Sequence, residues 1–350
     1  MRGLVLIAIL LASAASGHAQ TKPWTPPRTA FGAPDLQGVW TNASITKLTR
    51  SSRQTKLVVT PEEAAAIAKS DGLAQYKAFD ARPTDPNKGA PTRGQDPGGY
   101  NAFWLDAGNA LGKVKGEYRT SWIVDPADGQ LPLSAQGRAL VAKSVVFAHE
   151  ADTPTDPESL QPWDRCIISS RGSGGPGMLN NIYNSNYQIV QTPGAVAIAV
   201  EMVHDVRTIA IFPTRAAAQA AHGPAVIQPW LGESTGWWEG DTLVIETVNV
   251  NREQGRAGPI FLTPQGKVTE RLRRAGPGEL YYEFTVEDPT YYSRPWRAEM
   301  TLTAGKDPLY EYACHEGNYA MPHILAGARA QEKTAAQERS GRGKDPKAGG

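Results

Sequence analysis

The chain has 350 residues, with 36 Lys and Arg against 35 Asp and Glu and a formal charge of +1. That balance gives no electrostatic reason to expect nucleic acid or an acidic membrane surface as a partner. Its 35 Gly, 27 Pro, nine Trp and twelve Tyr suit many short strands and turns and argue against a helical bundle.

Residues 1–19 read as a secretory signal peptide. Arg2 supplies the positive start, Leu4 to Ala12 the apolar run, and Gly17-His18-Ala19 a small-x-small cleavage site. The run is too short to span a bilayer and no later segment is longer, so no membrane insertion is expected. No cysteine follows the signal to carry a lipid. The expected location is the periplasm or the medium.

Residues 20–34 are Pro-rich and expected to be extended. Residues 35–41 (DLQGVWT) read as a first strand. Thr60-Pro61-Glu62-Glu63 is a capping box with proline at the first helical position, which predicts a helix over 61–79. Residues 80–100 are loop by composition. A strand is predicted over 119–124, and Ser134 caps a helix reaching about residue 147. From Asn186 the pattern changes to apolar strands: 186–191, 196–202, 207–212, 242–250, 267–274, 279–286, 297–303 and 309–314. Short turns between them predict a mainly β fold, an antiparallel meander closing into a barrel or strongly curved sheet with a few peripheral helices. A closed barrel removes exposed edges and can hold a small ligand. The expected organisation is an α+β part (35–160) packed on a barrel core (161–320), then a helix (321–338) and a disordered tail (339–350).

Two cysteines carry the most information about a site. Cys166 ends Trp163-Asp164-Arg165-Cys166, and Cys314 opens Cys314-His315-Glu316. In an oxidising compartment they are expected to pair; two free buried thiols and shared metal ligation are the alternatives. A bridge would bring their Cα atoms within roughly 7 Å and gather Asp164, Arg165, His315 and Glu316 into one neighbourhood. Closing so long a loop would stabilise the fold by roughly 5 kcal/mol on the chain-entropy model.

A second cluster, residues 201–207 (EMVHDVR), sits at a strand end. Glu201 alternates with the small Ala199, Ala197 and Ala195, while Val196, Ile198 and Val200 point to the other face. Glu201, His204 and Asp205 would then be available for general acid/base work; a polar turn bonding its own backbone is the plainer alternative. A metal would need three ligands among Glu201, His204, Asp205, His315, Glu316 and His323, and no ligand spacing supports one, so neither metal nor cofactor is assigned. Residues 232–236 match G-x-S-x-G, but a strand follows Ser234 where that motif requires a helix. The glycines of 172–177 lack the lysine of a phosphate loop and suit a ligand-covering loop. Trp163, Tyr183, Tyr187, Trp238, Tyr319 and Asn318 are candidate ligand contacts, by stacking or by reading hydroxyls.

The motifs DRC at 164–166, EMVHDVR at 201–207, GWWEGDTLVIET at 236–247 and YEYACHEGNY at 310–319 resemble an uncharacterised family of exported bacterial proteins. The resemblance brings no activity with it. A likeness to lipocalin-type barrels rests on Gly38-x-Trp40 and the strand meander, and concerns fold alone.

Together these features predict an exported enzyme working by acid/base chemistry, as a lyase, hydratase, isomerase or hydrolase, on a small neutral sugar-like or aromatic ligand. His204 and His315 would move protons, Glu201 or Glu316 would orient one of them, and Arg165 or Arg207 would stabilise developing negative charge. The alternative is a non-catalytic carrier using the same cavity. The oligomeric state is not encoded legibly.

Overall fold

The computed structural model describes residues 24–81, 87, 102–150, 154, 156–169, 172–256 and 258–342. The signal-peptide assignment, most of the 80–100 loop and the last eight residues of the tail lie outside the described residues. Gly38–Thr41 forms the first strand, β1. Val58–Val59 (β2), Lys113–Val114 (β3) and Glu117–Arg119 (β4) make a small separate sheet in the order β2-β4-β3. The capping box holds as read: the Thr60 side chain accepts from Glu63 N–H and the Glu63 side chain accepts from Thr60 N–H, starting α1 (Pro61–Ser70). The single helix predicted over 61–79 is divided, however. Asp71 is extended at φ −65°, ψ 139°, and its carboxylate accepts from Leu73 N–H at 3.0 Å. It thereby starts α2 (Gly72–Asp80) as a new helix.

The strand predicted over 119–124 is also divided, ending β4 at Arg119 and resuming as β5 (Ile123–Asp125). Ser134 caps α3 (Ala135–Glu150), its hydroxyl accepting from Gly137 N–H at 2.8 Å.

Eight further strands follow: β6 (Asn186–Gln191), β7 (Ala195–Val200), β8 (Val206–Ile211), β9 (Glu233–Glu239), β10 (Thr242–Val248), β11 (Lys267–Gly276), β12 (Glu279–Glu287) and β13 (Trp296–Ala304). They pair in chain order, and β1 joins β6 on one side and β13 on the other, closing a nine-stranded barrel. The edge of β13 is shared: its end (Thr303, Ala304) pairs with β1, and its start (Arg297, Ala298) with β5.

The meander is not wholly antiparallel, because β8 and β9 pair in parallel at Ala210–Thr235 and Ile211–Gly236. Parallel neighbours need a crossover, and α4 (Arg215–Ala220) with the loop after it supplies one. That loop returns the chain to the end of the barrel where β8 began. Residues 309–314 are likewise not a strand. β1 already occupies the pairing edge they would need, so they cross the barrel mouth as an irregular strap. The chain then enters α5 (Ala320–Arg342), which continues past the predicted stop at 338.

Alternation fills the barrel. On β7 the bulky Val196, Ile198 and Val200 are buried while the alanines face outward. Trp40, Tyr187, Tyr282, Phe284, Trp296 and Met300 are each at most 2% exposed and occupy the interior that a ligand cup would leave open.

Two inward positions are charged. Arg207 on β8 and Glu270 on β11 meet inside the barrel, Nη1 to Oε2 at 2.6 Å and Nη2 to Oε1 at 2.9 Å. Their side chains are 1% and 0% exposed. Glu270 also accepts from the Tyr282 hydroxyl and, at 3.3 Å, from Gly177 N–H. A charge removed from water this completely is tolerable only when paired and hydrogen-bonded. Glu270→Ala should therefore lower stability by about 3–5 kcal/mol, while the double change Arg207→Met with Glu270→Leu should recover most of the loss. Urea unfolding midpoints of the three proteins check this.

Candidate functional site

Cys166 and Cys314 form a disulfide with Cα atoms 5.8 Å apart. It ties the turn at 162–168 to the strap, as the sequence led us to expect. A cleft of about 440 Å³ opens beside it at the barrel mouth, lined among others by His204, Asp205, Trp230, Ser234 and His315.

The turn that presents His204 is unusual. It joins β7 to β8 and is closed by a hydrogen bond from Val200 N–H to the Asp205 carbonyl at 2.7 Å. Within it Val203 and His204 have φ of 57° and 48°. Two consecutive non-glycine residues in the left-handed region, one of them β-branched, are costly and persist only where the surroundings over-determine them. The strap does part of that work. His204 Nδ1 lies 3.0 Å from the Tyr312 carbonyl oxygen. A carbonyl only accepts, so Nδ1 carries the proton, and in the neutral ring Nε2 keeps its lone pair.

Asp205 is buried, and its Oδ2 accepts from Ser169 N–H at 2.8 Å. Burial pushes its carboxyl above the ordinary range, against the downward pull of the Ser169 hydrogen bonds. The Gly174 backbone passes so close that an added Cβ would lie 2.8 Å from Asp205 Oδ2, and its N–H donates to Ser169 Oγ at 2.8 Å. The glycine-rich segment thus covers the carboxylate rather than cradling a phosphate.

The remaining candidates divide. His315 lines the cleft although it follows the disulfide in a turn, whereas its neighbour Glu316 is exposed and does not line it. Glu201 faces no open space: it accepts from Asn184 Nδ2 at 2.6 Å, Asn186 Nδ2 at 3.2 Å and Tyr310 N–H at 3.2 Å, and so pins the strap. Arg207 lines the cleft floor but its charge is committed to Glu270. Arg165 turns to Glu253, 3.3 Å away. Tyr187 is wholly buried, bonded to Asn42 Nδ2 at 3.1 Å, and its hydroxyl is held un-ionised by burial. Tyr183 and Trp238 pack against the same core, Trp238 toward the opposite end of β9 from Ser234. Tyr319 is 73% exposed. Trp163 and Asn318 line a second groove across the disulfide. Ser234 lies within β9 and shares a hydrogen bond with the Thr247 hydroxyl at 2.8 Å, so the G-x-S-x-G match is part of a sheet. Among the described residues, no three His, Cys, Asp or Glu side chains are placed to hold a metal ion, and no helix is long and apolar enough to cross a membrane.

Sequence reasoning missed Ser169 as the partner of Asp205, and Glu270. Nothing in the spacing marks Ser169. Glu270 does leave a signal, because it shares an inward face with Val268 and Leu272.

A carboxyl whose pKa is raised by folding contributes stability that is complete below its unfolded value and is lost as pH rises through the folded one. Asp205→Asn keeps an acceptor for Ser169 N–H and removes the ionisation. It should melt above the parent at neutral pH, with the gap closing as pH falls toward about 4. Thermal melts across that range check the sign. The chain matches no family model, no curated protein and no solved structure.

Proposed function

We propose that the chain is an exported enzyme that moves protons on a small neutral ligand in the His204 cleft, as a lyase, hydratase, isomerase or hydrolase. The observation that carries this reading is the hydrogen bond from His204 Nδ1 to the Tyr312 carbonyl. It fixes the tautomer and leaves Nε2 as a base, on a turn held in the left-handed region at Val203 and His204.

The other parts follow from their surroundings. Asp205, whose carboxyl is shifted upward by burial, lines the same cleft and is the candidate partner of that base in proton transfer. His315 is a second proton-transfer group on the same cleft. A neutral ligand is consistent with the lining, whose described residues include no lysine and whose one arginine is neutralised by Glu270. Trp230 offers an apolar face with a polar edge, which suits a sugar ring or an aromatic group. The disulfide supports an oxidising compartment. The solid interior weighs against the carrier alternative, since a carrier of the lipocalin kind would hold its ligand inside the barrel.

Turnover of a panel of p-nitrophenyl glycosides and esters, and of neutral sugars followed by mass change, tests the reading. His204→Ala and His315→Ala should each lower turnover by about 10²–10⁴-fold, with ligand quenching of tryptophan fluorescence retained. Parental turnover in both variants overturns the assignment.

A further inference from the structure

We infer that the groove on the far side of the disulfide binds an organic cation with an apolar body, of the quaternary-ammonium or aryl-amine class. This inference does not depend on the reading of the His204 cleft.

The groove measures about 670 Å³, within the range of small-molecule sites, and the Cys166–Cys314 bridge forms part of its wall. Four aromatic side chains line it: Trp104, Trp163, Tyr310 and Tyr312. Trp104 and Tyr310 stand 63% and 68% exposed, more than large rings ordinarily do. The charged groups among its described lining residues are Asp164 and Glu311, both acidic, with no lysine, arginine or histidine beside them. Arg165, adjacent in sequence, is directed away to Glu253. Ring faces carry a negative quadrupole and attract cations, and carboxylates act in the same sense. An anion would meet repulsion from both, and a purely apolar ligand would leave the carboxylates unused.

The groove is also held in shape without a ligand. The disulfide fixes its centre, Glu201 holds Tyr310 N–H at 3.2 Å, and Asn318 Nδ2 donates to the Asp164 carbonyl at 2.8 Å. A preformed wall loses little freedom on binding. Asp164, partly desolvated, has its carboxyl pushed upward by burial; a cation seated beside it would replace part of the lost hydration.

The test compares benzyltrimethylammonium with neopentylbenzene, its neutral isostere, and with phenylacetate, by tryptophan fluorescence and calorimetry on the full chain. The cation should bind at least about tenfold more tightly than the isostere, and phenylacetate should show no saturable binding. Glu311→Gln and Tyr310→Leu alter exposed side chains and should each weaken the cation by about three- to fivefold with unchanged melting temperature. His204→Ala should leave its affinity unchanged, which separates this groove from the neighbouring cleft. Equal affinity for cation and isostere, no saturable binding of the cation at millimolar concentration, or affinity insensitive to both groove variants overturns the proposal.

Discussion

The bidentate contact between Arg207 and Glu270 constrains the segment that closes one side of the barrel mouth. β8 and β11 are not neighbours, as β9 and β10 lie between them, so the pair reaches across the interior instead of along the sheet. Two opposite charges out of water demand further partners. Tyr282 supplies one from β12, and the N–H of Gly177 supplies another from the segment closing the mouth. That segment must lie flat against the guanidinium, and at Gly175 an added Cβ would sit 2.9 Å from Arg207 Cζ. Its seating places Ser169 N–H against Asp205 and Gly174 over the same carboxylate. The seating of Asp205 in the cleft is thus coupled to one pair in the barrel core.

The second element of the site is the strap. Freed from the sheet because β1 occupies the edge of β13, residues 305–319 serve as a shared wall. One side receives His204 through the Tyr312 carbonyl, the other carries Tyr310 and Glu311 into the aromatic groove, and Glu201 holds the strap from below. The disulfide therefore has a geometric role as well as an entropic one: it locates two depressions on either side of a single bond.

Much of this arrangement was legible in residues with strict local requirements. The Thr60–Glu63 box, the alternation of Val196, Ile198 and Val200 against three alanines, and the pairing of the cysteines all depend on short-range geometry or on a lone pair of thiols. What was illegible depends on topology. Residues 309–314 have a strand's composition and fail to be one because a segment about 270 residues earlier took their place, a competition that strand propensity does not register. The parallel pairing of β8 with β9 is hidden for the same reason. Glu201 alternates with three small alanines, yet three donors from two other segments fill the space beside it. Arg207 and Glu270 each leave only the trace of a charge on an apolar face, and their complementarity needs the barrel to be closed first.

That closure has a bearing on how the molecule comes into being. Trp40 and its short strand have no lasting partner on the second side until Thr303 and Ala304 emerge, so the first stave is synthesised early and seated last. Until then the sheet is an open ribbon with two unsatisfied borders, the form most prone to mispairing with a neighbouring chain. Few of the contacts that stabilise the native state are available to a half-made polypeptide, which favours keeping it extended and escorted until its final third has been released.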